Sequence, residues 1–125
     1  MKNPKVSIIM NCYNGEKYLK DSLKSIIDQT YQNWELIFWN NRSNDSSEKI
    51  FKKFKDKRLF YFISQSHTNL HEARNLALAK TKGEYITFLD TDDYWKKDKL
   101  NLQVKMLDNQ KDIGCVHSKF WVKYE

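Results

Sequence analysis

The chain has 125 residues, of which 40% are hydrophobic and 14% aromatic, with only three Gly and one Pro. This composition is typical of one globular domain with a single core and excludes collagen-like, low-complexity and disordered chains. The net charge of +6 is concentrated at 49–58 and 96–111, where lysines alternate with apolar residues as on a solvated helix face. No nucleic-acid-binding motif accompanies this charge, so we expect no nucleic-acid partner.

The cysteines and the apolar runs indicate the compartment. Cys12 and Cys115 lack the spacing of a zinc site, and we expect two reduced, mostly buried thiols in a cytoplasmic protein, with a single disulfide as the alternative. The apolar stretch at 6–10 is too short for a signal peptide, and no run reaches membrane-spanning length. The lysine excess leaves peripheral association with an acidic membrane surface, at the inner face, as an addition to the cytoplasmic location.

The hydrophobic pattern alternates between strand and helix periods along the chain. In order, it predicts a strand at 6–10, a helix at 15–29, a strand at 34–39, a helix opened by a capping box of Asp45 and Glu48 and continuing through Phe54, a strand at 59–63, a helix at 70–81 ending near Gly83, a strand at 85–89, a helix at 97–109 and extended structure at 113–124. This alternation favours an α/β fold with a mostly parallel sheet and helices on both faces. We expect 1–125 to form a single domain without a linker, and the strand-like end indicates a partial domain.

Polar clusters follow three of the predicted strands, at 11–14, 40–43 and 90–93. In an open α/β sheet, ligands gather at the carboxyl ends of the strands. The cluster at 90–93 holds three carboxylates, which repel one another unless a cation is present. Hard oxygen ligands suit Mn²⁺ or Mg²⁺ together with phosphate oxygens, so the run predicts a metal and diphosphate site; a cap for the next helix is the alternative.

Other catalytic classes lack their sequence features. There is no phosphate-binding glycine loop, no dinucleotide fingerprint and no nucleophile elbow. Carboxylates adjacent at one strand end cannot flank a sugar ring as the pair of a glycosidase does. His67, His71 and His117 are scattered, and we expect surface or hydrogen-bonding roles for them.

Several short segments resemble one family when they are taken together: YN at 13–14, QTY at 29–31, ARN at 73–75, GEY at 83–85 and FLDTDD at 88–93. From about 6 to 116 the chain resembles the family 2 glycosyltransferases. The resemblance implies the A-type, Rossmann-like fold of nucleotide-diphospho-sugar transferases. It also implies inverting, metal-dependent transfer of a sugar from a nucleotide diphosphate donor to a hydroxyl of a saccharide or lipid-linked acceptor, often in bacterial surface polysaccharide or lipopolysaccharide synthesis.

The resemblance also implies roles for individual residues. Asp90 would contact the ribose, and Asp92 would be the main ligand of Mn²⁺ or Mg²⁺, with Asp90 and Asp93 as further candidates. Tyr13 would pack near the base, and Arg74 would pair with base or phosphate oxygens, a surface salt bridge being its alternative. The candidate donor-binding residues are Asn11, Tyr13, Asn40, Asn41, Arg74 and Asp90.

The chain departs from the family pattern at two strand ends. At 40–43 it has NNRS where the family commonly has DDGS. Asn41 can accept a hydrogen bond from a uracil N–H, more weakly than a carboxylate would, and it suits other bases equally well. Arg42 replaces a frequent Gly, so we expect a special backbone conformation to be lost there. Asn11 replaces the usual Pro and changes turn stiffness more than chemistry.

No catalytic base is assigned, because in this family the base follows the donor-binding part, here beyond Glu125. Two alternative functions therefore stay open. One is a catalytically incomplete nucleotide-sugar-binding module. The other is a nucleotidyltransferase-like domain, which would need a glycine-rich and basic loop after the first strand, and 14–17 (NGEK) is a poor version of one.

Overall fold

A computed structural model of the protein describes residues 3–124. Strands and helices alternate through this part of the chain in the predicted order. They are β1 (Val6–Cys12), α1 (Glu16–Ile27), β2 (Trp34–Asn40), α2 (Ser47–Lys53), β3 (Leu59–Ile63), α3 (Leu70–Leu78), β4 (Tyr85–Phe88) and α4 (Lys99–Asn109). The α/β class is thereby confirmed.

The four strands form one parallel sheet in the order β3-β2-β1-β4. The chain moves outward from β1 through β2 to β3 and then returns to the other side of β1 to form β4. In a parallel sheet with this order, the direction in which successive strands are added reverses beside β1, so the edge between β1 and β4 is a topological switch point. All the strands end at the same edge of the sheet, so the polar clusters that follow them are brought together.

Helices cover both faces of the sheet, as predicted. On one face, alternate side chains of β1 and β2 pack against α1, α2 and α4. This core contains Ile8, Met10, Leu36, Phe38, Leu19, Leu23, Ile26, Phe51, Leu100 and Val104. On the other face α3 packs through its small residues Ala73 and Ala77 against Ile9, Ile37 and Trp39. Burial of these apolar surfaces on both faces is the main stabilising contribution to the fold.

A buried polar network joins β1, β2 and the turn before β4. The Glu35 carboxylate accepts hydrogen bonds from Ser7 Oγ at 2.6 Å and from the Lys82 N–H at 2.7 Å. Ser7 Oγ in turn accepts from the Gly83 N–H at 2.8 Å. Because Ser7 and Glu35 are both buried, these bonds satisfy groups that would be costly to leave unpaired. The network fixes where the chain enters β4.

Two predicted helix ends differ from the structure. The expected stop of α3 near Gly83 is wrong, because the helix ends at Leu78. The expected capping box is also wrong. Ser46 occupies the cap position of α2, Asp45 Oδ1 accepts from the Ser47 N–H, and Glu48 pairs with Lys52. Asp45 is instead used to bond a neighbouring loop, as described below.

The extended structure predicted at 113–124 forms no strand. Its apolar and aromatic residues resemble those of a strand, but a strand also needs a hydrogen-bonded neighbour, and no partner pairs with this segment within residues 3–124. Both cysteines are free, as expected; Cys12 is buried, but Cys115 is exposed, so the prediction of burial was wrong for the second thiol. None of the helices described has both the length and the apolar character that crossing a bilayer requires.

Candidate functional site

The carboxyl ends of β1 and β4 lie side by side at the switch point. Ile9 pairs with Phe88 in the sheet, and Leu89 continues the ladder by donating to the Ile9 carbonyl at 3.1 Å. Asp90 is therefore level with Asn11 of β1. Asn11 Nδ2 is buried and has no hydrogen-bond partner among residues 3–124. A buried amide donor without a partner is costly, and a ligand oxygen at the strand ends would satisfy it.

Reciprocal hydrogen bonds join the β1–α1 loop to the β2–α2 loop. The Asn14 N–H donates to Ser43 Oγ at 3.0 Å, and Asn14 Oδ1 accepts from the Asn44 N–H at 2.9 Å. Two residues further along, Glu16 bonds the opposite loop in the same way: the Glu16 N–H donates to Asp45 Oδ2 at 3.0 Å, and Glu16 Oε2 accepts from the Ser46 N–H at 2.8 Å. The two loops thus form one rigid wall of the site.

The side-chain amides of Asn40 and Asn41 bond to protein groups. Asn40 Nδ2 donates to Tyr61 Oη at 2.8 Å, and its Oδ1 accepts from the Ser43 N–H at 2.8 Å. Asn41 Nδ2 donates to the Thr68 carbonyl at 2.7 Å, and its Oδ1 accepts from Thr68 N at 3.0 Å and Thr68 Oγ1 at 3.2 Å. Both residues are buried. They hold the β2–α2 and β3–α3 loops at the sheet edge.

The acidic run folds into a tight turn against α1. The Asp93 N–H donates to the Asp90 carbonyl at 3.1 Å, and the same carbonyl accepts from Ser22 Oγ at 3.2 Å. Gly15 lies so close to this turn that an added Cβ would be 2.8 Å from Thr91 Oγ1. Burial and the charges of Asp92 and Asp90 raise the pKa of Asp93 above its usual value. The turn therefore holds crowded negative charge that a cation would relieve.

These carboxylates fit a metal that is partly coordinated by its substrate. Among the residues described, no group of three or more His, Cys, Asp or Glu side chains is arranged to hold a metal ion. Mn²⁺ and Mg²⁺ bound with a diphosphate usually take only one or two protein carboxylates, and phosphate oxygens and water complete the octahedron. One or two of Asp90, Asp92 and Asp93 could supply such a partial set, so the chemistry of these side chains is compatible with the expected cation.

Arg74 reaches the acidic turn from α3. Because Ala73 is buried against the sheet, α3 lies close to it, and Arg74 Nη2 is 3.3 Å from Asp90 Oδ1. The guanidinium also lies 5.5 Å from the centre of the Phe88 ring. The expected alternative for Arg74, an ion pair, is thus present, and its partner is itself a candidate site residue. A cation partly exposed beside this crevice is positioned to bind an anion.

Tyr13 presents an exposed aromatic ring at the end of β1. It keeps 54% of its surface exposed, and its ring centre is 4.3 Å from that of His67, with the planes inclined at 49°. His67 Nδ1 lies 3.0 Å from the Asn41 backbone oxygen. The sequence predicted a hydrogen-bonded or surface role for this histidine, but it gave no signal that His67 belongs to the candidate site, since the two rings are far apart in the chain.

The expectation that Arg42 loses a special backbone conformation is wrong. Arg42 has φ of 66°, in the left-handed region that glycine adopts without cost. The neighbouring Ser43 N–H is held by Asn40 Oδ1, so the loop keeps its shape although it contains a side chain that disfavours it. Asn14, on the facing loop, has φ of 52°. Both loops of this wall thus contain a non-glycine residue in the left-handed region.

Residues of α1 and of the turn that follows it position the acidic turn, which the sequence did not predict. Gln29 is buried and bonds to both sides of the start of α4: its Nε2 donates to the Lys96 carbonyl at 2.8 Å, and its Oε1 accepts from the Leu100 N–H at 3.0 Å. Ser25 Oγ accepts from the Trp95 N–H at 3.1 Å. Gln29 begins the QTY segment at 29–31, whose role is therefore to anchor the chain after the acidic run.

Comparison with known proteins identifies the family. The sequence profile of Glycosyl transferase family 2 matches residues 7–124. An uncharacterized glycosyltransferase of Haemophilus influenzae is 44% identical over 112 residues, which are 87% of this chain and 45% of that protein. The Escherichia coli UDP-Glc:alpha-D-GlcNAc-diphosphoundecaprenol beta-1,3-glucosyltransferase WfgD is 38% identical over 102 residues, which are 82% of this chain and 40% of that protein. This chain thus spans less than half the length of these curated relatives.

The fold comparison agrees with the sequence comparison. The crystal structure of S. aureus TarS 1–349 in complex with UDP-GlcNAc matches with a TM-score of 0.81 and 29% sequence identity, covering 84% of this chain and 31% of that one. The sheet described above is therefore part of the A-type glycosyltransferase fold, as predicted. The chain belongs to Glycosyl transferase family 2.

Proposed function

We propose that this chain is the nucleotide-sugar-binding part of a glycosyltransferase that moves a sugar from a nucleotide diphosphate donor to an acceptor hydroxyl, with inversion. The observation that carries the proposal is the convergence at the β1–β4 switch point of an acidic turn, a cation and an exposed aromatic ring. These groups match the three parts of such a donor, since the aromatic ring can stack on a base and the cation and a metal can bind the diphosphate.

For the donor we propose binding by Asn11, Tyr13, Asn40, Asn41, Arg74 and Asp90. Asp90 would contact the ribose, and Arg74, its partner at 3.3 Å, would be drawn toward the diphosphate. The buried and unpaired Nδ2 of Asn11 would donate to a donor oxygen. Asn40 and Asn41 would contribute through the loops that they hold in place. The complex of the relative TarS with UDP-GlcNAc supports a donor of this chemical class.

For the metal we propose Asp92 as the main ligand, with Asp90 and Asp93 as further ligands. A bound Mn²⁺ or Mg²⁺ would neutralise the diphosphate and so stabilise it as a leaving group. The protein holds the carboxylates for it through the Asp90–Asp93 turn and the Ser22 bond. It also keeps them close enough to raise the pKa of Asp93 through burial and mutual repulsion, which favours a cation at this position.

For the acceptor we propose a saccharide or a lipid-linked sugar used in surface polysaccharide or lipopolysaccharide synthesis. Support comes from the Escherichia coli relative, which by its name acts on a diphosphoundecaprenol-linked sugar. An acceptor of this kind would place the protein in the cytoplasm, peripherally at the inner face of the membrane. No residue from 3 to 124 is assigned as the catalytic base.

Identifying which bond of the donor breaks tests this proposal. The chain is incubated with UDP-glucose or GDP-mannose, Mn²⁺ and a panel of saccharide acceptors, and the nucleotide products are separated. Glycosyl transfer or donor hydrolysis releases the nucleoside diphosphate. In a parallel reaction with added pyrophosphate, attack of the pyrophosphate on the α-phosphorus of the donor, with release of a nucleoside triphosphate and a sugar phosphate, would instead show a nucleotidyltransferase-like reaction and would overturn the proposal. Donor binding without turnover would identify a catalytically incomplete binding module.

A further inference from the structure

The tautomer of His67 follows from its hydrogen bond. Its Nδ1 lies 3.0 Å from the Asn41 backbone oxygen, and a carbonyl oxygen can only accept. Nδ1 therefore carries the hydrogen, and in the neutral ring Nε2 has a lone pair that can accept a hydrogen bond. His67 is exposed, and its Nε2 has no hydrogen-bond partner within the described chain. The β3–α3 loop thus presents Nε2 of His67 as a hydrogen-bond acceptor, because the bond at Nδ1 fixes the tautomer of the ring.

This acceptor lies beside an exposed aromatic ring at the sheet edge. The ring centres of His67 and Tyr13 are 4.3 Å apart, while Tyr13 keeps more than half of its surface exposed. Aromatic side chains stack on nucleobases of any sequence. A base that packs against Tyr13 would bring its polar edge next to the imidazole.

The other acceptor expected near the base is already used. Asn41 Oδ1 accepts from both Thr68 N and Thr68 Oγ1, and Asn41 Nδ2 donates to the Thr68 carbonyl. A base could bind to this amide only after displacing the bonds that fix the β3–α3 loop. Asn41 therefore acts as a clamp: its side chain holds Thr68, and its backbone oxygen orients His67.

We propose that His67 determines base specificity by accepting, through Nε2, a hydrogen bond from a ring N–H of the donor base. The inference rests on the proposed nucleotide-sugar site and adds the class of base. Uracil (N3–H) and guanine (N1–H) carry such a ring N–H. At the corresponding position cytosine and adenine present a lone pair, which would leave two acceptors facing each other. We expect this mismatch to weaken binding of cytosine and adenine nucleotides by about tenfold or more.

Binding of nucleoside diphosphates tests the proposal. Calorimetric titrations with UDP, GDP, CDP, ADP and N3-methyl-UDP at one Mn²⁺ concentration are made for the unmodified chain and for His67→Phe. Phenylalanine keeps a ring next to Tyr13 but removes the acceptor, so it separates the hydrogen bond from stacking. His71→Phe is the matched control, since His71 is an exposed histidine in the first turn of α3.

The expected result is that the unmodified chain and His71→Phe prefer UDP or GDP over CDP and ADP by about tenfold or more, and UDP over N3-methyl-UDP if uracil is the base. In His67→Phe these ratios fall close to one while diphosphate binding persists. Equal binding of all the nucleotides by the unmodified chain, or ratios unchanged in His67→Phe, would overturn the role of His67 and leave the proposed function intact. If none of the nucleotides bound, the proposed function would fail as well.

Discussion

Arg74 Nη2 lies 3.3 Å from Asp90 Oδ1, so the cation of α3 and the first carboxylate after β4 are paired at the edge of the sheet. Both side chains remain partly exposed, and an exposed ion pair of this kind adds little to stability. Its position beside the acidic turn points to a role in binding. An incoming diphosphate would compete with Asp90 for the guanidinium and leave Asp90 free for the ribose or the metal.

Replacement of Arg74 by glutamine tests this role. We expect Arg74→Gln to weaken UDP and GDP binding by about tenfold, because a charge-assisted hydrogen bond to phosphate is lost, while the unfolding midpoint stays nearly unchanged. Lys80→Gln is the control, since Lys80 is a nearby cation just after α3 that lies over Phe62, away from the acidic turn. Equal affinities in the two variants, measured by calorimetry, would show that Arg74 does not contact the donor.

The packing of Gly15 against Thr91 predicts a defect in binding. In Gly15→Ala the new Cβ would lie 2.8 Å from Thr91 Oγ1 and 3.0 Å from Thr91 Cβ, which forces the acidic turn to shift. We expect nucleotide affinity in the presence of Mn²⁺ to fall several-fold, because metal ligands must be held in place. Combining Gly15→Ala with Thr91→Ala removes Thr91 Oγ1 and Cγ2, at 2.8 and 3.2 Å from the added Cβ, and leaves only the 3.0 Å contact with Thr91 Cβ, so it should restore most of the affinity. No recovery in the double variant would argue against this packing mechanism.

The close packing of Gly83 against β1 predicts that a larger residue at this position destabilises the fold. A Cβ at this position would be 2.5 Å from the Ser7 nitrogen and 2.6 Å from Ser7 Oγ, where the buried network leaves no room. Gly83→Ala should therefore reduce the free energy of unfolding by about 1–3 kcal/mol in urea titrations. Gly114→Ala is the matched control, because its Cβ would meet nothing within 4 Å. A Gly83→Ala protein as stable as the control would contradict the close approach of this turn to β1.

The Asp56–Arg58 pair predicts a dependence of stability on pH. Arg58 donates to both carboxylate oxygens, at 3.0 Å from Nε and 2.6 Å from Nη2, and this bonding holds the pKa of Asp56 below its usual value of 3.8. A depressed folded-state pKa adds stability that is fully present above pH 3.8 and is lost as the pH falls through the folded-state value.

Asp56→Ala should therefore cost about 1–3 kcal/mol of unfolding free energy at pH 7, and the difference from the unmodified chain should shrink at pH values below the ordinary carboxyl pKa. Asp28→Ala serves as control, because Asp28 pairs with Lys24 one helical turn away at the surface. We expect a smaller loss there. A cost for Asp56→Ala that stays constant down to the lowest pH at which the protein folds would refute the linkage.

The strands and helices could be predicted from the sequence because each one's buried side chains follow a periodic pattern within its own segment. The apolar runs of β1 and β2 are buried on both faces, and the stripe of α1 faces one core. Helix ends were predicted less well, since Asp45 bonds across to the Glu16 N–H instead of capping its own helix. The segment 113–124 has a strand pattern without a pairing partner in the described chain, and a strand depends on that partner.

The candidate site could be predicted where a cluster directly follows a strand, as at 90–93, and could not where the contact is long-range. The tilted contact of Tyr13 with His67 joins the ends of two loops, and no periodicity marks it. The left-handed backbone conformation of Arg42 also depends on tertiary contacts, since its loop is held by Asn40 and by hydrogen bonds to the loop that follows β1. Such relationships arise from tertiary packing, which local patterns do not encode.

The most direct test of the central claim is the effect of Mn²⁺ on the binding of UDP and GDP to this chain, compared with Asp92→Ala. The control is Asp98→Ala, which removes an equal charge from a residue at the start of α4 whose side chain makes no capping bond. We predict that Mn²⁺ strengthens binding of at least one nucleotide in the unmodified chain and in Asp98→Ala, and that this gain is absent in Asp92→Ala. Absence of binding with both nucleotides, or the full Mn²⁺ effect in Asp92→Ala, would contradict the account.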